Sequence, residues 1–122
     1  MAESILREKS FKFAVKILRL HRHFVEVKRD FTLTRQVYNS GTSIGADIEE
    51  ASQAESTADF IHKLSIANKE AFETHYWLRL LKAGEVLTSQ EADALLKDCE
   101  ELLRLLMASI RTAKANEASR HN

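Results

Sequence analysis

Proline is missing from the sequence altogether and glycine occurs only three times, which excludes the turn-rich plans of sandwiches and small barrels and favours uninterrupted helix. The single cysteine, Cys99, cannot close an internal disulfide, and its leucine-rich surroundings predict a buried thiol in a reducing compartment. Charge of neither sign is in excess: 18 Lys plus Arg balance 18 Asp plus Glu. No overall field therefore draws the chain to nucleic acid or anionic lipid, and any such binding has to be local. No apolar run approaches the roughly 18 residues of a membrane span, and the amino-terminal MAESILREKSFK alternates charge where a signal peptide has an apolar core. A cytoplasmic protein without membrane partners is expected.

What the sequence does contain is helical periodicity. Its 122 residues, 44% of them hydrophobic, suit one domain. Apolar residues at four-three steps predict four helices, over about 5–28, 33–53, 57–83 and 89–115, with a frayed tail after them. The first carries Phe13, Ile17, Leu20, Phe24 and Val27 on one face, and the second Val37, Gly41, Ile44, Ile48 and Ala51. Gly41 and Gly45 each cost about 1 kcal/mol against alanine inside a helix, which predicts that a neighbouring backbone comes close there. The third repeats the spacing through Phe60, Leu64, Ala67, Ala71, Thr74, Leu78 and Leu81; the fourth has a broader stripe from Leu95 through Cys99, Leu106 and Met107 to Ile110. Ser56 with Asp59, and Thr88 with Glu91, have the spacing of capping boxes at the third and fourth starts, and Gly84 is placed to end the third helix in the left-handed conformation. Short connections favour an up-down-up-down antiparallel four-helix bundle.

One core does not use all the apolar side chains. On the third helix Ile66, Phe72, Tyr76, Trp77 and Leu80 point away from the core stripe; on the first, Phe11, Leu18 and Val25 form a second arc with Ala14. Together they predict a self-association interface rich in aromatic groups.

The segments SGTSIGADIEEA, from Ser40, and STADFIHKLSIANKEAFETHYWLRLL, ending at Leu81, resemble the four-helix-bundle family of 23S rRNA intervening-sequence proteins. The family's Ser-Ile-x-Ala-Asn-Ile-x-Glu core is matched by Ser43, Ile44, Ala46, Ile48 and Glu50, with Asp47 where asparagine is usual. Its Lys-Glu-Ala-x-Glu-Thr-x-Tyr-Trp-Leu run is matched from Lys69 to Leu78. The specific match covers about a third of the chain. The resemblance implies a barrel-like homo-oligomer, a pentamer with a central channel, and no catalytic activity. It also implies a context of RNA or ribosome binding, or of a protein partner such as a reverse transcriptase.

Sites of chemistry are few. Asp59 and His62 have half the spacing of a di-iron carboxylate-histidine motif, but no second such pair occurs, and His21 and His23 point to different faces. No metal, cofactor or catalytic residue is expected. Ser40, Ser43, Asp47 and Glu50 form a polar seam beside the apolar face of the second helix, with Lys63, Lys69 or Arg79 as candidate partners. Residues 1–40 hold nine basic against four acidic groups. Lys9, Lys12, Lys16 and Arg19, with His23, share one face of the first helix, a candidate phosphate-binding stripe that an oligomer would repeat around its axis.

Overall fold

The computed structural model describes residues 2–120, and all of its regular structure is α-helix: α1 (Ala2–Glu26), α2 (Thr32–Ala51), α3 (Thr57–Ala83) and α4 (Ser89–Arg120). α1 begins earlier than the apolar pattern indicates. α4 runs beyond Ala115, where a frayed tail is expected, and Arg120 reaches the Thr57 hydroxyl at 3.4 Å. The last two residues of that tail lie outside the described residues.

Both helix starts are capped by the expected residues, and the second closes as a full capping box. The Ser56 hydroxyl accepts from the Asp59 N–H at 3.1 Å, while the Asp59 carboxylate accepts from the N–H of Glu55, one residue before the cap. At α4 the exchange is reciprocal, Glu91 N–H to the Thr88 hydroxyl at 3.1 Å and Thr88 N–H to the Glu91 carboxylate at 3.0 Å. These bonds hold the Glu91 carboxyl below its ordinary range. The end of α3 departs from expectation. Gly84 has φ −82°, and it is Glu85, at φ 60°, that takes the left-handed position. Val86 N–H then reaches back to the Leu81 carbonyl and Glu85 N–H to that of Lys82, the paired bonds of a Schellman motif.

Each helix packs on the next in the chain, and α4 returns to α1; α1 lies diagonal to α3, and α2 to α4, meeting only through core side chains. Leu6, Phe13, Ile17, Ile44, Leu64, Leu78, Leu102 and Leu106 are fully enclosed between them, each stabilising the fold by about 1.5–3 kcal/mol. Two residues assigned to the core by periodicity lie outside it. Val27 is 65% exposed because α1 has ended one residue earlier, and Met107 is 48% exposed, about 80° around α4 from Cys99 at 100° per residue. The glycines of α2 sit against α1: a Cβ on Gly45 would stand 3.4 Å from the Ser10 carbonyl oxygen, and one on Gly41 3.1 Å from Ile17. The close approach at Gly45 is to backbone; at Gly41 it is to a side chain.

Candidate interaction surfaces

The basic stripe of α1 does not survive folding as a free surface. Lys9 pairs with Glu101 at 3.1 Å and Lys16 with Asp98 at 2.6 Å, both acids belonging to α4, and Lys12 pairs with Glu8 one turn back at 2.9 Å. Exposed pairs of this kind stabilise by about 1 kcal/mol or less, yet they cancel the positive field that the spacing predicts. Arg19 and His23, the rest of the stripe, make no ion pair, and His23 lies edge-on to Phe24. Asp98 and Glu101, three residues apart on one face of α4, are the signal that α1 read by itself could not supply.

The surplus apolar groups divide into two kinds. Phe11, Leu18 and Val25, at intervals of seven along α1, are 66%, 44% and 39% exposed; Phe72, Tyr76 and Leu80, at intervals of four along α3, are 58%, 49% and 48% exposed. Trp77 is different. It packs against the chain's own core and its Nε1–H donates to Glu73 at 3.3 Å, so it supports Tyr76 edge-on at 5.1 Å instead of facing outward. Ile66 is likewise half-buried. The Arg79 guanidinium sits 5.8 Å from the Tyr76 ring centre. Beside Phe11, the small residues of α2 leave a groove of about 290 Å³ along α1, floored by Ala14, Thr42, Gly45 and Ala46.

The polar seam of α2 is not one hydrogen-bonded unit. Ser40, buried, donates to the Gln36 carbonyl; Thr74 of α3 lies 2.9 Å from it, its single proton shared between Ser40 and the Glu70 carbonyl. Ser43 turns back to the Asn39 carbonyl at 2.7 Å, and Glu50 pairs with Lys63 at 3.4 Å. Of the other candidate partners, Lys69 makes no ion pair and Arg79 serves Tyr76. Asp47 is left between: burial and then the Glu50 charge push its carboxyl up, against the pull of Lys63. Glu70 on α3 is raised by burial, then by Glu73 and by Asp47 itself, so the two carboxyls oppose each other across α2 and α3.

Among the described residues no three His, Cys, Asp or Glu side chains are grouped to hold a metal ion, and Asp59 is engaged in its cap. Cys99 donates to the Ala71 carbonyl at 3.3 Å, and burial, with the charges of Glu100 and Asp98, pushes its thiol up to about 12. It is not poised as a nucleophile at neutral pH. No described helix is long and apolar enough to cross a membrane.

Four helices packed in a closed circuit, with their unshared apolar groups turned outward on diagonal helices, define an all-α bundle whose distinguishing chemistry lies on its surface. The chain belongs to the 23S rRNA-intervening sequence protein family, whose model matches residues 2–108. It is similar to a protein of unknown function from the S23 ribosomal protein family of Bacteroides thetaiotaomicron, known from a crystal structure, with 44% identity and a TM-score of 0.88 over 91% of this chain and 99% of that one. Neither description carries an enzymatic activity. No curated protein matches the sequence.

Proposed function

We propose that the chain is a non-enzymatic scaffold, an up-down-up-down antiparallel bundle that assembles with its own copies into a barrel-like ring. Ion pairs support the topology: Arg7 at the start of α1 meets Glu49 at the end of α2, Glu50 meets Lys63 at the start of α3, and Lys82 meets Asp93 at the start of α4. The observation that carries the assembly is the pair of apolar surfaces, Phe11/Leu18/Val25 and Phe72/Tyr76/Leu80, on diagonally placed helices. Faces on opposite flanks suit a head-to-tail contact, with the α3 ridge of one copy against the α1/α2 groove beside Phe11 of the next, and such contacts close into rings. Five subunits is the number implied by the family resemblance. The balanced overall charge is compatible with close packing of copies.

Light scattering on the purified protein at micromolar concentration tests this reading. An oligomer is expected, with Phe11→Glu and Phe72→Glu each reduced to monomer. Mixing the two variants is expected to give a heterodimer, because each retains the face that the other lacks. A stable wild-type monomer would sink the proposal, and failure of the mixture to pair would sink its head-to-tail form.

A further inference from the structure

Once Lys9, Lys12 and Lys16 are matched with carboxylates, the cations without an ion-pair partner in the α1–α2 hairpin gather at its turn. Lys28 and Arg29 lie in the connection and Arg35 in the first turn of α2, all three exposed; Arg19, seven residues before the end of α1 and on the face that Lys9 and Lys16 turn to α4, is not part of this group. The acids of the same region are otherwise engaged. Glu26 is 4.0 Å from Arg22, Asp30 accepts from the Thr32 N–H at 3.1 Å, and Glu91 is tied into the α4 cap, where its charge is felt by His23 and Lys28. Asp93, at the start of α4, is paired with Lys82 at 2.7 Å, and Glu85 stands in the turn before α4. Between the cations stands Phe31, 56% exposed at the start of α2. Arg29 holds its place at φ 55°, a left-handed conformation in which glycine would be less strained.

We propose that this end of the bundle binds single-stranded nucleic acid, with Lys28, Arg29 and Arg35 on successive phosphates and an unstacked base on the Phe31 ring. Guanidinium and ammonium groups neutralise phosphate whatever the sequence, and an exposed aromatic ring between them selects a strand whose bases are free to stack. A duplex offers the charge without the free base. The surface belongs to a single chain and does not rest on the ring proposed above, although a ring would present it several times.

Fluorescence anisotropy with a labelled oligoribonucleotide of about 20 residues, long enough to span a site of this kind, tests the assignment. Three phosphate contacts give a salt slope of about −2, a loss of roughly twentyfold between 50 and 200 mM salt. The variant Lys28→Ala/Arg29→Gly/Arg35→Ala is expected to weaken binding at least tenfold. Phe31→Ala is expected to weaken it about fivefold or more, with Phe31→Tyr restoring it. Lys12→Glu/Lys16→Glu is expected to stay within about twofold of wild type, since those lysines are already paired. Arg29→Gly alone should bind RNA less well while melting at a higher temperature, which separates loss of a contact from loss of the fold. Light scattering on each variant distinguishes this result from a change in assembly. The proposal is overturned if the triple variant binds like wild type, if the Lys12/Lys16 variant is the weaker of the two, or if duplex RNA or anionic vesicles bind as tightly as the single strand.

Discussion

Glu85 occupies the one position of the α3–α4 turn that favours glycine, while the glycine itself stands one residue earlier with an ordinary helical φ. Glu85→Gly is therefore expected to stabilise the protein by about 0.5–1 kcal/mol, measured as an increased urea midpoint at unchanged slope. Gly41 has the opposite character. A methyl group there meets Ile17 at 3.1 Å, and Ile17 is both β-branched and fully enclosed, so it has no rotamer to retreat into. Gly41→Ala is expected to cost about 1 kcal/mol or more despite the better helix propensity of alanine. Asp47 presents a charge problem. Its folded-state pKa lies above the ordinary 3.8, so the native state holds the proton more tightly than the unfolded chain. Its contribution is thus most favourable below 3.8 and is lost as pH rises through the folded value. Asp47→Asn, which restores the residue usual in the family, should raise the melting temperature at pH 7 and make no difference at pH 3.

At the level of the helix, termini were more legible in the sequence than surfaces. Ser56/Asp59 and Thr88/Glu91 could be read as caps because the requirement is local: three residues fix which N–H groups lack partners. Thr88→Ala is expected to cost about 1 kcal/mol. The Glu91 half of the same box is pH-dependent. Its depressed pKa means that its contribution is complete above the ordinary 4.5 and is lost as pH falls through the folded value, so Glu91→Gln should flatten the acid limb of a stability profile. The core face of α3, from Leu64 to Leu81, could be read for the same local reason, since one period runs unbroken through it. What could not be read was the neutralisation of α1. Lys9 and Lys16 are 92 and 82 residues distant in sequence from Glu101 and Asp98, and only the packing of α4 on α1 brings the charges together. The inward packing of Trp77 is hidden for a related reason: its position on α3 is at the edge of the apolar stripe, and whether such a ring folds inward depends on the neighbouring helix.

For the molecule as a whole, opposed charges are spent mostly within the chain, while apolar groups are left over. The ion pairs from α1 to α2, α2 to α3, α3 to α4 and α4 to α1 are all exposed, so salt should change the stability of the single chain little. The proposed assembly depends instead on aromatic and aliphatic surface, and its dissociation constant should likewise be nearly insensitive to salt between about 50 and 500 mM. Nucleic-acid binding at the α1–α2 turn should respond strongly over the same range. Sedimentation and anisotropy measured across one salt series would therefore separate the two properties in a single preparation.

Cys99 gives that preparation a practical advantage. As the only thiol in the sequence, enclosed against Ala71 and protonated until about pH 12, it should ignore maleimides for as long as α3 and α4 stay together. A cysteine introduced anywhere on the surface then becomes the sole attachment point for a dye or spin label without removing the native one. The slow modification of Cys99 in an unlabelled sample, in turn, counts how often those two helices part.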